Sequence, residues 1–599
     1  MKGRVKGLTG GRAVVRPPDL GRWETPVRHG GWPLLIVAAL IAGQVMDDYG
    51  LTVGATILIY AILGLGINIV VGYAGLLDLG FAAFFAIGAY TAGLLMVELE
   101  WNFWLTLPAA VAAAAVAGVV IGYPTLRLRS DYLAIVTLGF GEIIRITVIN
   151  LEITGGPNGL TGIPPVTLGG REFVMPKDFY HLALAFFVVV LAATALLARS
   201  RLAYAWRAIR SDDTAAEAVG VPARRVKLLA YVLGAMTGAV AGPLNAAQLG
   251  TVDPSSFTFL TSLMILLVVI IGGMGSRPGV LIGAVVIIAL PEILRSVQEY
   301  RGLFFALLLI VIVLLRPQGV WPYRPRRFRL PAKPGPAPDL PPAAGTLLEV
   351  GGLSRRFGGV TAVDGLGLRA DAGQVVSVIG PNGAGKTTAF NCITGMIPPS
   401  AGTVVLAGRN VRGKAPHRVA AAGLARTFQS IRLFDEMTVA ENVLIGRFAR
   451  DRGLLRPLSR EDADAVRRCL DFVGLLDAAD RPAGGLAYGD RRRLEIARAL
   501  AGDPRVLLLD EPAAGANPTE KRALMELISR ISALGTAVVL IEHDVALVMS
   551  ISDRVTVLEY GRTIAEGPPA EIQADQRVIA AYLGVPDDPE TDLVTEVLR

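Results

Sequence analysis

A glycine-rich stretch in the second half of the chain has the residue types and spacing that bind nucleotide phosphates. It reads Gly380, Pro381, Asn382, Gly383, Ala384, Gly385, Lys386, Thr387 and Thr388, directly after an apolar run that is typical of a buried β-strand. Backbone amides and a helix N-terminus would hold the phosphates, because both present positive dipole ends. Lys386 would reach the β- and γ-phosphates, and the Thr387 hydroxyl would bind Mg²⁺. The pattern predicts a nucleoside triphosphate site that uses Mg²⁺.

Polar residues that follow other apolar runs could complete this site. Asp510 and Glu511 end the run Val506–Leu509, where Asp510 would hold Mg²⁺ through water and Glu511 would polarise the attacking water. His543 ends another apolar run and could sense the γ-phosphate, while Gln429 could contact metal and water. Taken singly, an acidic pair, a lone histidine and a lone glutamine are each common without any such role. Together they predict a catalytic set (Glu511, His543 and Gln429) and a metal set (Thr387, Gln429 and Asp510).

The chain divides into a strongly apolar first half and a more polar second half, which contains this site. Of the 599 residues 52% are hydrophobic, and most of the excess lies before residue 316. A hydrocarbon core of about 30 Å needs about 20 apolar residues in a helix. Ten candidate spans, or eight to ten because the first and eighth are short, lie near residues 33–48, 51–72, 78–98, 103–123, 132–150, 180–198, 227–248, 258–273, 277–297 and 302–316.

Basic residues between the spans predict their orientation across the membrane. The net charge of +7 comes from arginines and lysines between apolar runs and in the flanking segments, which fits the positive-inside rule better than nucleic-acid binding. Arg127, Arg129 and the basic loop after the sixth span would be cytoplasmic, as would both termini, and the Gly- and Pro-rich segment 151–180 would lie outside. Cys392 and Cys469 have no metal-type spacing and indicate a reducing compartment. We expect a multi-pass protein of the cytoplasmic (inner) membrane.

The fold class follows from this division. We predict a basic N-terminal arm (1–32), a polytopic α-helical membrane domain (33–316), a Pro-rich basic linker (317–346) and an α/β P-loop domain (347–599). The proline and arginine content of the linker predicts an extended segment that stays outside the hydrocarbon.

The order of motifs in the second half resembles an ABC-transporter ATPase over about 347–585. The resemblance implies that ATP is the nucleotide and that the stretch Leu486, Ala487, Tyr488, Gly489 and Asp490 is the signature loop, which caps the γ-phosphate bound by an opposite ATPase. The usual family form is Leu-Ser-Gly-Gly-Gln, so this loop lacks the serine hydroxyl. Phe357 matches the aromatic residue that stacks on adenine, although a core aromatic would look the same. Asn517 stands in the D-loop where aspartate is usual.

The first half resembles the permeases of branched-chain amino acid ABC importers over about 50–320. The stretches that carry this resemblance are 65–98, 126–145, 154–165, 271–276 and 315–319. It implies that Ala215, Ala216 and Gly220 belong to a coupling helix that docks on the ATPase, although Thr214 replaces the expected glutamate and an ordinary loop helix is the alternative. Glu142 and Arg145 lie inside a span at i, i+3 spacing, either for function or to neutralise each other.

Together the two resemblances imply a fused permease and ATPase subunit of an importer. One P-loop and one permease require a second ATPase and a second permease, and the small outer segments require a separate extracytoplasmic solute-binding protein. Branched-chain amino acids are the expected cargo, with urea or short amides as the alternative. An exporter half and a membrane-anchored regulatory ATPase fit less well, because ten short spans exceed what either needs.

Overall fold

The computed structural model describes residues 31–126, 130–293, 345–450 and 453–583, with scattered residues between 307 and 333. The helices of the first half are α1 (Gly31–Val45), α2 (Asp48–Ile67, continued by a π-helix Asn68–Tyr73), α3 (Ala82–Val97), α4 (Phe103–Thr125), α5 (Ser130–Asn150), α6 (Pro176–Leu197), α7 (Arg201–Ser211), α8 (Asp213–Ala218), α9 (Ala223–Leu249), α10 (Phe259–Gly272) and α11 (Arg277–Ile293). Two-residue strands β1 (Leu160–Thr161) and β4 (Thr251–Val252) pair antiparallel, as do β2 (Thr167–Leu168) and β3 (Arg171–Glu172).

Five described helices are long and apolar enough to cross a bilayer: Asp48–Tyr73, Phe103–Thr125, Tyr132–Asn150, Pro176–Leu197 and Ala223–Leu249. Shorter apolar helices are Gly31–Val45, Ala82–Val97 and Phe259–Gly272. The nine spans expected between residues 33 and 297 all fall on helices of this half. The tenth, 302–316, lies mostly outside the described residues, as does the basic arm.

Small residues let the long helices approach closely. Ala110, Ala114, Gly118 and Gly122 are buried at four-residue spacing on α4, so they form one face. A Cβ on Gly118 would lie 3.2 Å from the Ala235 side chain of α9. Such faces replace the hydrophobic driving force that is missing between helices in lipid.

The second half is an α/β domain with two sheets. Its strands are β5 (Thr346–Phe357), β6 (Val360–Asp371), β7 (Val375–Ile379), β8 (Ala401–Leu406), β9 (Arg409–Asn410), β10 (Leu424–Arg426), β11 (Val506–Asp510), β12 (Ala537–Ile541), β13 (Arg554–Glu559) and β14 (Arg562–Gly567). Its helices are α12 (Lys386–Ile393), α13 (Pro416–Ala421), α14 (Val439–Gly446), α15 (Arg460–Phe472), α16 (Tyr488–Leu500), α17 (Pro518–Ala533), α18 (Val545–Ile551), α19 (Pro569–Ala574) and α20 (Gln576–Leu583). Single 3₁₀ turns occur at Glu152–Thr154, Gly156–Asn158, Pro254–Phe257, Arg447–Ala449, Leu476–Ala478 and Ala483–Gly485.

The larger sheet has the order β10-β11-β12-β7-β13-β14, and β11, β12 and β7 are parallel neighbours. Every residue of these three strands is buried, which explains their continuous Val, Leu and Ile runs. Because the carboxyl ends of parallel strands meet at one edge, the segments after β7, β11 and β12 converge there. A smaller antiparallel sheet has the order β6-β5-β8-β9.

The two halves share one continuous apolar core. Ala215 and Val219 of the membrane half belong to the same cluster of buried side chains as Phe434, Ile445 and Phe448 of the α/β domain. Backbone bonds cross the boundary too, from Leu202 N–H to the Leu454 carbonyl at 2.8 Å and from Arg201 N–H to the Arg456 carbonyl at 3.2 Å. The membrane helices and the α/β domain are therefore packed against each other directly.

Candidate nucleotide site and coupling interface

The phosphate-binding stretch forms a tight loop between β7 and α12. Gly380 and Gly385 have φ of +151° and +93°, and a Cβ at either position would lie within 2.2 Å of a backbone carbonyl oxygen. Only glycine fits both places without moving backbone. Lys386 begins α12, and its buried ammonium donates to the Gly380 carbonyl at 2.6 Å and the Pro381 carbonyl at 3.0 Å. Burial lowers the pKa of Lys386, so phosphate oxygens would be favourable partners for this cation.

The expected metal ligands lie around one cavity of about 620 Å³ whose lining includes Thr387, Gln429 and Asp510. Asp510 is buried at the end of β11, and its Oδ2 accepts from Arg426 Nη2 at 2.8 Å. Its Oδ1 is buried and has no hydrogen-bond partner in the described part of the chain. A hydroxyl, an amide and an orphaned carboxylate oxygen match the oxygen ligands that Mg²⁺ prefers, so these residues fit the metal.

Arg426 is a residue of this site that sequence reasoning missed. Its guanidinium is buried, donates to Asn391 Oδ1 at 2.6 Å and to Asp510, and lies 5.1 Å from the Phe428 ring centre. Burial raises the pKa of Asp510 and lowers that of Arg426, while each charge opposes the shift of the other. Arg426 therefore favours the ionised form of this expected metal ligand and holds its side chain in place. The only sequence signal was its position three residues before Gln429.

The three expected catalytic side chains are brought together. Gln429 Nε2 donates to Glu511 Oε2 at 2.9 Å, and His543 Nε2 lies 2.8 Å from Glu511 Oε1. Glu511 has φ of +46°, a left-handed conformation that is uncommon for a residue with a side chain. Its amide donates to the Ile541 carbonyl at 2.9 Å, which fixes this turn against the end of β12. The turn directs a carboxylate toward a glutamine and a histidine from two other segments.

Arg492 of α16 ties these segments together, and it too was missed in the sequence. Its guanidinium donates to the carbonyls of Phe428 at 2.8 Å, Gln429 at 3.1 Å and Glu511 at 3.3 Å. Glu495, one turn later and completely buried, accepts from Arg492 at 3.1 Å. A single buried cation thus links α16 to the backbone of both the glutamine segment and Glu511.

The stretch Leu486 to Asp490 leads into α16. Ala487 is the N-cap residue and offers no side-chain acceptor, as expected when alanine replaces serine. The Tyr488 hydroxyl donates to the Ala514 carbonyl at 2.8 Å, which joins this loop to the segment after Glu511. Asp490 pairs with Arg493. Asn517 caps α17 in a capping box with Glu520, so its amide has a structural role there.

Phe357 lies at the end of β5 with 44% of its surface exposed. The Arg355 guanidinium lies 4.5 Å from its ring centre. The alternative of a buried core aromatic does not describe this ring, whereas an exposed face is what stacking on a base requires.

The segment expected to be a coupling helix docks on the α/β domain. It is the short helix α8, in which Ala215 and Ala216 are completely buried. Gly220 follows with φ of +100°, and a Cβ there would lie 2.5 Å from Ala449 Cα across the boundary. The small residues of this segment therefore allow close approach, as the sequence indicated.

Two ion pairs flank this docking surface. Arg207 of α7 makes bonds of 2.9 and 3.0 Å to the two oxygens of Glu441, whose side chain is completely buried. Arg432 Nη1 donates to Asp212 Oδ2 at 2.9 Å. Asp213, Thr214 and Glu217 of α8 line the same cavity as Thr387 and Asp510, so the expected metal ligands and α8 face one space.

Three sequence families match the chain. Residues 50–313 match the family described as branched-chain amino acid transport system / permease component. Residues 363–514 match the ABC transporter family, and residues 562–588 match the branched-chain amino acid ATP-binding cassette transporter family.

Individual relatives each match one half. The high-affinity branched-chain amino acid transport system permease protein LivM of Escherichia coli is 42% identical over 325 residues, covering 50% of this chain and 76% of LivM. The high-affinity branched-chain amino acid transport ATP-binding protein BraF of Pseudomonas aeruginosa is 47% identical over 249 residues, covering 40% of this chain and 98% of BraF. A crystal structure of an ABC-transporter cassette in its ADP conformation is 31% identical, covers 40% of this chain and 99% of that chain, and has a TM-score of 0.37.

Proposed function

Because the chain belongs to the branched-chain amino acid ABC transporter family, as a permease domain fused to an ATP-binding domain, we propose that it imports branched-chain amino acids, driven by ATP hydrolysis. The observation that carries this proposal is the match of both halves to branched-chain amino acid relatives, at 42% and 47% identity. Those names favour leucine, isoleucine and valine over urea or short amides. The ATP-binding half is an ATP hydrolase of the kind that serves transport.

In this proposal the nucleotide binds at the loop before α12. Backbone amides and Lys386 hold the phosphates, and Phe357 stacks on the adenine ring. Thr387, Gln429 and Asp510 would hold Mg²⁺, which would supply positive charge for the phosphate oxygens. Glu511 accepts a proton from the attacking water, since its carboxylate lies between two side chains that can orient that water. His543 then senses the γ-phosphate through its contact with Glu511.

Hydrolysis is linked to transport through α8 and its flanking ion pairs. Arg492 connects Gln429, Glu511 and α16, so a change at the γ-phosphate moves the segment that faces α8. The cavity between Thr387 and Glu217 leaves room for that movement. Because Gly220 and Ala449 are in direct contact, displacement of one domain is transmitted to the other.

The working assembly requires further components. Leu486–Asp490 caps the γ-phosphate at an opposite ATPase, so a second ATPase and a second permease complete the machine, as a second copy or as other subunits. A solute-binding protein outside the cell delivers the cargo. The assembly lies in the cytoplasmic membrane with the ATPase and both termini in the cytoplasm.

The test is ATPase activity of the assembled complex in lipid vesicles, with solute-loaded binding proteins supplied on the outer side. Stimulation by the leucine-loaded protein supports import and the cargo. Stimulation by only a urea- or amide-loaded protein keeps the mechanism and overturns the cargo. Steady basal hydrolysis without any response would reject the importer and favour a membrane-anchored regulatory ATPase.

A further inference from the structure

An ion pair lies on the exposed face of membrane helix α5. Arg145 Nε donates to Glu142 Oε1 at 3.0 Å and Oε2 at 3.1 Å, and a second guanidinium nitrogen also bonds this carboxylate. In the described part of the chain each residue is the other's only charged partner within ion-pair distance. The Glu142 side chain is 44% exposed and that of Arg145 28%. Their neighbours Ile143 and Ile146 are also exposed.

This position is an unusual one for two charges. The span Tyr132–Asn150 is apolar enough to cross a bilayer, and only 28% of it is buried within this chain. Charges at such depth are costly and face a protein interior or a polar pathway rather than lipid. At about 1.5 Å per residue, the pair lies about 7 to 12 Å from the end of α5 at Asn150. In the proposed topology that end is the outer one, where solute enters.

We propose that Glu142 and Arg145 form a transient site for the ammonium and carboxylate of a zwitterionic amino acid in the translocation pathway. This inference rests on the proposed function and deepens it. Glu142 binds the ammonium, and the planar fork of Arg145 binds the carboxylate in bidentate fashion. The bonds of the pair to each other are exchanged for bonds to the solute, so no charge is left unpaired in the membrane at any stage.

The neighbouring backbone leaves room for such a solute. Gly139 is exposed one turn before Glu142, and no described atom lies within 4 Å of where its Cβ would be. Glycine inside a helix is less favourable than alanine, so its presence here is consistent with a need for open space beside the ion pair. On its other side α5 is held firmly, because Gly80 approaches the Thr137 carbonyl so closely that a Cβ would not fit.

The experiment compares two double variants of the full chain in the assembled complex in vesicles, with the leucine-loaded binding protein outside. Glu142→Gln with Arg145→Gln removes both charges together and leaves neither unpaired. The matched control is Arg171→Gln with Asp178→Asn, which removes an ion pair in the outer segment. Radiolabelled leucine uptake and basal ATPase activity are both measured.

We expect the first variant to lose uptake by about tenfold or more with normal basal ATPase activity, since two charge-assisted contacts to the solute are gone. The control should transport like the wild type. Wild-type uptake in the first variant would overturn the inference, because the charges would then only neutralise each other.

A charge swap keeps the inference testable if the neutral variant does not fold. Glu142→Arg with Arg145→Glu preserves an ion pair but exchanges the positions of its two charges. The ammonium and carboxylate of the solute would then have to exchange places, and its side chain would point in the opposite direction. We expect loss of uptake, and wild-type uptake would again overturn the site. A wild-type complex that imports no zwitterionic amino acid would overturn the proposed function itself, which distinguishes the two failures.

Discussion

Glu511 combines an uncommon backbone conformation with the central role that we propose for it in ATP hydrolysis. A left-handed backbone at a non-glycine residue costs about 1 to 3 kcal/mol and persists only where its surroundings impose it. Here the amide bond to Ile541 and the side-chain bonds to Gln429 and His543 impose it. In the proposed mechanism this conformation directs the carboxylate toward the attacking water, which is a reason for the strain to be retained.

Replacing this carboxylate should separate ATP binding from turnover. Glu511→Gln keeps the shape of the side chain but removes the proton acceptor, so ATP should still bind while hydrolysis falls by about 10² to 10⁴. Nucleotide binding and phosphate release by the full-length chain measure the two effects. Glu526→Gln, on an exposed position of α17, is the matched control and should change neither. Normal hydrolysis in Glu511→Gln would reject the assigned role.

How much of this site could be read in the sequence depends on the kind of contact. The glycine loop and the acidic strand end are local patterns, so Lys386 and Asp510 were predicted directly. Arg426 and Arg492 were not, because a buried guanidinium is defined by carbonyls and carboxylates that are distant in sequence. The placement of Phe357 also required the structure, since an aromatic at the end of a strand can face either solvent or core.

At the scale of elements, α8 is a short helix packed at the boundary between the membrane half and the α/β domain. Its alanines are buried, and Gly220 lies close to Ala449 of the α/β domain. The sequence could not name the groups on the other side. Glu441 and Ala449 follow no motif. The packing of α14 against α7 reveals Glu441, and the close approach of Gly220 reveals Ala449.

A pair of glycines allows this contact to be tested. Gly220 and Gly250 both have positive φ, +100° and +67°, so alanine strains the backbone similarly at each. Only Gly220 faces Ala449, whereas no described atom lies within 4 Å of a Cβ on Gly250. Gly220→Ala should therefore retain ATPase activity but lose solute-stimulated hydrolysis, and Gly250→Ala should retain both. Equal behaviour of the two variants would remove α8 from the coupling path.

The segment after the membrane helices is attached to both domains. Val320 and Trp321 donate backbone bonds of 2.8 Å to the Ile271 and Gly272 carbonyls, and Phe328 is buried in the ATPase core. Arg467 Nη1 donates to the Pro331 carbonyl at 2.8 Å. The sequence predicted an extended linker outside the hydrocarbon, but not these points of attachment, because proline-rich composition describes stiffness rather than contacts.

A break in the chain after these contacts should be tolerated. Cutting near Pro334 leaves Phe328 and Pro331 on the permease fragment, so co-expressed halves should associate and transport. Uptake and co-purification of the two fragments measure this. The same split with residues 320–331 deleted is the matched comparison and should weaken association. Complete loss of transport from the simple cut would mean that the covalent connection itself takes part in the cycle.

At the scale of the whole molecule, fusion fixes which permease and which ATPase work together. Separate chains must find each other, whereas here the ion pair from Arg207 to Glu441 forms within one chain, as does the apolar core that joins α8 to the α/β domain. The chain still carries one phosphate loop and one signature loop in its sequence. In the proposed assembly the signature loop of one ATPase caps the nucleotide that the phosphate loop of another ATPase holds, so we expect at least two such domains.

Mixing two inactive variants tests whether two copies of this chain form the assembly. Lys386→Ala disables the phosphate loop and Gly489→Asp the signature loop, so each variant alone should lose ATPase activity. In a symmetric pair each site joins the phosphate loop of one copy to the signature loop of the other. A mixed pair then contains one site with both defects and one intact site, and mixing should restore part of the activity.

Two differently tagged Lys386→Ala preparations are the control and should recover none. No recovery between the two variants would reject the two-copy assembly, and the chain would then work with a different permease and ATPase.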